Sequence, residues 1–189
     1  MFSEEKRQIV HILLFLLAFL LRFISRWQAV ILLLFLLLIT LFVVPRLKMK
    51  SYFYRRVERK YSEGAVLYFF ILLLLVIVFP LPVVAASWAI LALGDGSATL
   101  IGKNFKVKEL PWNRKKSYAG SVAFLVFGTL GSFILLKWML PEISGTMAIS
   151  VSLKATLVAA IVESLPLRLN DNVSVTVSSA LVMFFSKIV

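Results

Sequence analysis

Three carboxylates stand at the ends of apolar segments, where a charged group is costly to place. Asp95 and Asp171 are the two aspartates of the chain, and Glu163 closes another apolar run. Ionisable residues at membrane depth point to function, and carboxylates that lie close together bind Mg²⁺ along with the phosphate oxygens of a substrate. One hypothesis is that all three converge on a metal ion. The structural alternative makes Asp171 the N-cap of a helix and Glu163 the ion-pair partner of Arg168 or of a loop lysine.

A strongly basic segment, KNFKVKELPWNRKKSYAGS (103–121), follows Asp95 closely and contains a single acid, Glu109. Its basic residues are Lys103, Lys106, Lys108, Arg114, Lys115 and Lys116. Such a segment suits a polyphosphate or anionic lipid headgroups, and composition alone favours the headgroups. Its end places Lys116 and Ser117 at the start of a helix. Free N–H groups beside a lysine bind anions, and this strengthens the polyphosphate alternative.

Small residues accompany Asp95. If 95–102 is helical, Asp95 shares one face with Ala98, Thr99 and Gly102. A face of small residues lets another helix pack closely, or lets a ligand reach the backbone. The segment therefore has both a packing interpretation and a ligand-binding interpretation.

The glycines of GDGSATLIGKN (94–104) have two further interpretations. One is a turn at Gly94 and Gly96. The other is a phosphate-binding P-loop, which needs Gly, four residues, Gly-Lys and then Ser or Thr. Here five residues separate Gly96 from Gly102, Asn104 stands in the last position, and no predicted strand precedes the segment. We therefore exclude a P-loop.

The elements that must position these residues are hydrophobic segments. The 189 residues are 61% hydrophobic and have a mean hydropathy of +0.96, whereas soluble domains are about 45–50% apolar. Backbone groups in lipid must be satisfied internally, so apolar runs of roughly 20 residues are expected to be helices. We predict an all-α polytopic transmembrane helix bundle of about seven spans. These spans are 9–24, 28–45, 64–80, 83–101, 118–138, 145–165 and 172–188.

The last span contains a competing pattern. NVSVTVSS (172–179) alternates as a strand does, but a lone strand cannot cross a bilayer. We therefore predict a helix, on which Asn172, Thr176 and Ser179 form a stripe suited to the bundle interior.

The distribution of basic residues predicts the orientation of the bundle in the membrane. With the N-terminus in the cytoplasm, sixteen lysines and arginines fall on the cytoplasmic side and four on the other, in agreement with the positive-inside rule. We predict one integral-membrane domain over 1–189, with basic cytoplasmic loops at about 46–63 and 102–117. The same topology gathers the candidate site residues at the cytoplasmic edge: Asp95, Glu163, Asp171, Asn172 and His11.

Composition excludes several kinds of site. The chain has no cysteine and its single histidine is His11, which excludes disulfide frameworks, thiolate metal sites and His-rich zinc sites. Cytoplasmic loops explain the net charge of +12, so we expect no nucleic-acid partner. Lys154, inside the sixth span, receives no role, and the oligomeric state is not predicted.

Three motifs occur in a fixed order: GDGSATLIGK, LPWNRKKSYAGS, and VESLP followed by NDN. Together they resemble the membrane-embedded phytol and dolichol kinases, also called polyprenol kinases, and LPWNRKKSYAGS looks closer to the phytol kinase branch. The matching residues are Gly94, Asp95, Ala98, Gly102, Lys116, Ser117, Gly120, Ser121, Glu163, Pro166, Asp171 and Asn172. EGAVLY (63–68) and the pair Arg7 and His11 also fit the family, whereas Gln8 and Lys106 depart from it.

The resemblance implies a CTP-dependent kinase that moves the γ-phosphate to the hydroxyl of a prenol (phytol, geranylgeraniol or a dolichol-like polyprenol) with Mg²⁺. It implies Asp95 and Asp171 as metal ligands, and Glu163, His11 or Asp95 as catalytic groups. The residues that would bind the nucleotide and its phosphates are Gly94, Gly102, Lys103, Lys116, Ser117, Gly120 and Asn172. Phosphoryl transfer needs mainly positioning and charge neutralisation, which such residues supply.

The resemblance also implies a location and partners. The prenol tail would lie in the bilayer of a prokaryotic cytoplasmic membrane, with the active site facing the cytoplasm. CTP would arrive from the cytosol, and anionic lipid headgroups would contact the basic loops.

Two rival functions remain. A cytidylyltransferase resembling phosphatidate cytidylyltransferase shares the Asp and Lys-Ser segments, but it normally carries a C-terminal His-Gly-Gly and Asp-Arg, where this chain has Asp171 and Asn172. A non-enzymatic transporter or lipid-binding protein would explain the hydrophobicity and the basic loops. It would not explain why the acidic residues collect at one membrane edge, because transporters place such groups near the midplane.

Overall fold

Helices make up nearly all of the regular structure in the computed structural model, which describes residues 4–47, 52, 54, 61–105 and 108–188. The helices are α1 (Glu4–Leu13), α2 (Phe15–Ala18), α3 (Arg26–Leu38), α4 (Glu63–Val78), α5 (Leu81–Ala89), α6 (Gly96–Asn104), α7 (Tyr118–Met139), α8 (Gly145–Ser164) and α9 (Asp171–Phe185). Short 3₁₀ and π-helical segments, Phe19–Arg22, Ile39–Val43, Val44–Arg46 and Ile90–Asp95, extend or join them.

Each of the seven apolar segments predicted to be a span is helical. Four uninterrupted helical stretches of the described chain are long and apolar enough to cross a membrane: Arg26–Arg46, Leu81–Asn104, Tyr118–Met139 and Gly145–Ser164. The helices α4 and α9 are apolar but shorter, and the first segment is divided between α1, α2 and a 3₁₀ turn. The all-α helical architecture is confirmed, whereas seven spans and a cytoplasmic N-terminus stay predictions.

Apolar side chains lie both inside the bundle and on its outer surface. Trp88 and Phe124 are fully buried, while Trp27 and Phe185 are each about three-quarters exposed, at 76% and 75%. An apolar exterior of this kind is suited to lipid rather than to water. The polar stripe predicted on α9 faces inward, since Asn172, Thr176 and Ser179 are all buried.

The stretch 81–104 runs as one helical rod with a π-helical segment at Ile90–Asp95, directly before α6. The turn considered at Gly94 and Gly96 is wrong, because helical backbone continues through both residues. Both glycines instead allow close packing. A Cβ atom at Gly94 would lie 3.3 Å from the ring of Phe124, and one at Gly96 would lie 2.5 Å from Ile12.

A small β-hairpin departs from the all-α prediction. The strands β1 (Glu109–Leu110) and β2 (Asn113–Ser117) pair antiparallel within the segment predicted to be a loop. The hairpin is fixed to the end of α8, because Trp112 Nε1 donates to Ser164 Oγ at 3.3 Å and Asn113 Nδ2 donates to the Ser164 carbonyl at 3.1 Å. This contact determines where β2 delivers Lys116.

Candidate active site

Three carboxylates from three different helical segments meet at one end of the bundle. One oxygen from each of Asp95, Glu163 and Asp171 lies within 4.8 Å of the others. Asp95 ends the π-helical segment, Glu163 lies in the last turn of α8, and Asp171 begins α9. Asp95 and Glu163 are buried, at 7% and 3% exposure. Carboxylates this close repel one another unless a cation lies among them, and burial strengthens the repulsion. We call these three residues the acidic cluster.

Lys116 provides positive charge at the acidic cluster. Its Nζ contacts Glu163 Oε1 and donates to Asp171 Oδ2 at 2.8 Å. Burial lowers the pKa of the Lys116 ammonium, but the charges of Asp95, Glu163 and Asp171 outweigh that effect and raise the pKa above its ordinary value. Lys116 is therefore a permanent cation. If all three carboxylates are ionised, this group of four residues still carries two negative charges.

Of the two structural alternatives for the acidic residues, one is wrong and the other is confirmed. The N-cap of α9 is Asn170, whose Oδ1 accepts from the Asn172 N–H at 3.0 Å, so the prediction of Asp171 as the N-cap is wrong. Asp171 is the first residue of the helix, and its carboxylate is free to reach Lys116. For Glu163 the expected loop lysine is confirmed as the partner, and it is Lys116.

A cleft of about 490 Å³ opens beside the acidic cluster. Its lining includes Lys103, Arg114, Lys115, Lys116, Glu109 and Glu163. Positive charge therefore dominates the walls, and the acidic cluster lies at one side. A polyphosphate chelating a divalent cation has the complementary charge pattern, with anionic oxygens for the basic walls and a cation for the acidic cluster.

Close helix packing shapes the floor of the cleft. A Cβ atom on Gly120 would lie 2.9 Å from the Ala98 carbonyl oxygen, and one on Gly102 would lie 3.0 Å from Ser117 Oγ. The small face predicted beside Asp95 therefore packs α6 against the start of α7. Ser117 is the N-cap of α7, with its hydroxyl accepting from the Gly120 N–H at 3.2 Å.

Ser121 adds an unused polar group to the same wall. Its hydroxyl is buried in the lining of the cleft and has no hydrogen-bond partner among the described residues. A buried hydroxyl in this state favours a bound acceptor, such as a phosphate oxygen.

His11 lies beside Asp95 of the acidic cluster. Its Nε2 lies 3.0 Å from the carbonyl oxygen of Leu91, to which it donates, and 3.7 Å from Asp95 Oδ2. The ring also meets the ring of Tyr68 edge-on at 4.8 Å. A carbonyl only accepts, so this nitrogen carries a proton, and His11 orients the region around Asp95.

The other predicted site residues lie in different parts of the structure, and not all of them line the cleft. Asn172 is buried, and its Nδ2 donates to the Gly64 carbonyl at 2.7 Å, which ties α9 to α4. Gly94 packs against the ring of Phe124 and does not line the cleft. Lys106 and most of the predicted basic loop 46–63 lie outside the described residues.

The sequence interpretation missed one buried polar pair near the site. Trp88 Nε1 donates to the Tyr68 hydroxyl at 2.7 Å, and both side chains are almost fully buried. The available signal was a tyrosine inside an otherwise apolar run, since a buried tyrosine hydroxyl usually requires a partner. The tryptophan twenty residues further along was not foreseeable from spacing.

Curated proteins similar to this chain are named as phytol kinases and a farnesol kinase. The chain is 32% identical over 130 residues to a probable phytol kinase, chloroplastic, of Triticum aestivum, covering 65% of this chain and 43% of that protein. It is 35% identical over 132 residues to probable phytol kinase 1, chloroplastic, of Glycine max, covering 66% and 44%. It is 34% identical over 109 residues to farnesol kinase, chloroplastic, of Arabidopsis thaliana, covering 54% and 35%.

The chain therefore spans less than half the length of these curated relatives. No family model matches the chain, and no solved structure matches it. The relatives are chloroplastic plant proteins, so the prediction of a prokaryotic membrane finds no support among them. The resemblance drawn from the ordered motifs is confirmed by these relatives.

Proposed function

We propose, on the premise that this chain belongs to the phytol kinase and polyprenol kinase family, that it transfers the γ-phosphate of CTP to the hydroxyl of a prenol at a membrane surface. The observation that carries the proposal is the acidic cluster at the side of a basic cleft. Phosphoryl transfer requires positioning of the phosphates and neutralisation of their charge. This arrangement provides both within one cavity.

Mg²⁺ is the ion that the donor set fits. Three carboxylates within 4.8 Å supply hard oxygen ligands, and Mg²⁺ in nucleotide enzymes takes one or two carboxylates together with substrate phosphates. The Lys116 ammonium between two of them shows that a cation is favourable there. Asp95 and Asp171 would hold the ion, and when bound it would neutralise charge on the β- and γ-phosphates.

The residues of the cleft position the donor nucleotide. Lys103 and Lys116 provide charge for the phosphates, and the start of α7 with Ser117 and Ser121 provides hydrogen-bond donors. Gly102 and Gly120 allow the backbones of α6 and α7 to come close enough to form this wall. The β-hairpin closes one side through Arg114 and Lys115.

The chemical step is the exchange of one P–O bond for another. The prenol oxygen bonds to the γ-phosphorus while the bond from that phosphorus to the β–γ bridging oxygen breaks, and CDP leaves. The alcohol proton passes to a carboxylate of the acidic cluster, Glu163 or Asp95. The His11 nitrogen that lies 3.7 Å from Asp95, Nε2, already carries a proton that it donates to Leu91, so we assign His11 the role of positioning Asp95.

A membrane location suits both the prenol acceptor and the apolar helices around the acidic cluster. Apolar helices place the acidic cluster at one end of the bundle, where a prenol hydroxyl lies at the interface and its tail in lipid. We place that end on the side that supplies the nucleotide, the cytoplasmic side in the predicted topology, with anionic headgroups against the exposed basic residues.

A labelled donor tests this function against the cytidylyltransferase alternative. Purified protein in detergent is given phytol, geranylgeraniol and farnesol, Mg²⁺, and CTP labelled at the α- or the γ-phosphate, with ATP in parallel. Lipid-extractable label from the γ position alone is the expected result. Label from the α position would mean that a cytidylyl group had moved, and label from neither nucleotide would refute the proposal.

A further inference from the structure

A second, smaller pocket, separate from the cleft, lies near the acidic cluster. Its volume is about 60 Å³, and α1 and α4 provide most of its lining among the described residues. The lining is largely apolar, with Val10, Leu14, Ala65 and Phe69, and its polar members include His11 and Asn172. None of these residues lines the cleft.

The two cavities meet at the acidic cluster. Lys116 and Glu163 line the cleft, whereas His11, 3.7 Å from Asp95, lines the small pocket. Asn172 in the small pocket directly follows Asp171 in the chain. A group seated beside His11 would therefore approach the acidic cluster from a different cavity than a nucleotide in the cleft.

We infer that this small pocket binds the hydroxyl end of the acceptor prenol, an inference that rests on the proposed function. In-line transfer needs the acceptor oxygen and the leaving oxygen to reach the γ-phosphorus from different directions, and two separate cavities at the acidic cluster allow this. Apolar walls on α1 and α4 suit a hydrocarbon chain, and the volume suits an alcohol end group and not a whole prenol. The rest of the prenol chain would extend beyond the pocket into lipid.

Gly64 makes the inference testable without disturbing the bundle. Among the described residues, no heavy atom lies within 4 Å of a Cβ atom built on Gly64, although the residue is buried and lines the pocket. The Gly64→Val variant would place two methyl groups on that side while its carbonyl still accepts from Asn172. Gly145→Val is the matched control, since Gly145 also lies in the first turn of a helix, has the same free space among the described residues, and is exposed.

The experiment measures steady-state γ-phosphate transfer to geranylgeraniol in wild type and both variants. We expect Gly64→Val to raise the KM for the prenol about tenfold, because lost apolar contacts in a pocket cost 10–200-fold. The KM for CTP and the melting temperature should stay at wild-type values, and Gly145→Val should change neither KM. An unchanged prenol KM in Gly64→Val, or an equal rise in the CTP KM, would overturn the inference.

A photoreactive probe separates this inference from the proposed function. Geranylgeraniol carrying a diazirine near its hydroxyl is irradiated with the wild-type protein, and the labelled peptides are identified. Label on α1 and α4 that Gly64→Val reduces supports the pocket, even if no phosphate transfer is found. Label confined to other helices overturns the pocket, even if the protein is an active prenol kinase.

Discussion

The two ends of the helix bundle use basic side chains in opposite ways. At the end far from the acidic cluster, Arg22 donates to the Trp138 carbonyl at 2.7 Å, and Lys137 donates to the Pro141 and Ile143 carbonyls at 2.9 and 2.7 Å. These oxygens lie where helices end, and a cation there complements the helix dipole. Arg22 and Lys137 thus satisfy backbone carbonyls of the fold.

At the site end, Lys116 contacts two carboxylates, and three ionised carboxylates beside one lysine would leave a net negative charge there. Burying like charges costs stability. We therefore expect the basic residues of the far end to stabilise the helices, and the charge at the site end to be neutralised by a ligand. Variants at the two ends should therefore separate stability from activity.

The largest expected effect is on activity, from Asp95→Asn. The amide keeps the shape of the side chain but removes a proposed ligand of an ion whose charge stabilisation is worth several kcal/mol, so we expect a loss of γ-phosphate transfer on the order of a hundredfold or more. Removing one of three neighbouring like charges should leave the melting temperature in Mg²⁺-free buffer equal or higher. Transfer assays and thermal melts of the same preparation check both statements, and wild-type activity would exclude Asp95 from the site.

The next effect is on stability, from Lys116→Met, which leaves Glu163 and Asp171 without their described cation. Breaking a fully buried pair costs about 3–5 kcal/mol, and the partial exposure of Asp171 reduces that figure here. We expect a lower melting temperature that Mg²⁺ raises more in this variant than in wild type, because either cation neutralises the acidic cluster. An equal Mg²⁺ response in both proteins would count against a shared cation position.

Packing beside the cleft gives a smaller effect. In Gly120→Ala the added methyl would lie 2.9 Å from the Ala98 carbonyl oxygen, and such overpacking costs about 1–3 kcal/mol. We expect lower stability and a higher KM for CTP, since α6 and α7 must separate. Gly145→Ala, at an open position, is the control. Denaturation melts and CTP saturation curves measure the difference, and identical behaviour of the two variants would contradict the packing.

The smallest effect is expected at the far end, from Arg22→Met. It removes the hydrogen bond to the Trp138 carbonyl and the contact of the guanidinium over the Trp138 ring, 4.8 Å from its centroid. At an exposed site this costs about 1 kcal/mol. We expect a slightly lower melting temperature with an unchanged rate of phosphate transfer. A large loss of activity would show that the two ends are not separate in function.

The hydrophobic segments were sufficient to predict the helices. The distribution of basic residues along the chain was sufficient to predict that the acidic residues lie at one end of the bundle. Asp95 is far in sequence from Glu163 and Asp171, yet the predicted spans place all three at the same edge, and the structure brings them together. Their roles in metal binding and catalysis stay predictions. What sequence could not provide was the distance between side chains of different helices.

Local features with weak signals were missed. The β-hairpin consists of short, mainly polar strands, and Leu110 is its buried apolar residue. No alternation of apolar and polar residues therefore predicted it. Asn170 and Asp171 are both good N-caps, and only the position of Lys116 explains why Asn170 has that role. The π-helical segment before α6 has no residue signature and depends on packing against α1 and α7.

Binding of a divalent cation tests the central claim most directly. Mn²⁺, as a spectroscopic substitute for Mg²⁺, is titrated into purified protein with CTP, and free Mn²⁺ is followed by electron paramagnetic resonance. We predict that wild type and Arg22→Met take up Mn²⁺ beyond what CTP alone binds, and that Asp95→Asn does so at least tenfold more weakly. Equal Mn²⁺ uptake by wild type and Asp95→Asn would contradict a cation site at the acidic cluster.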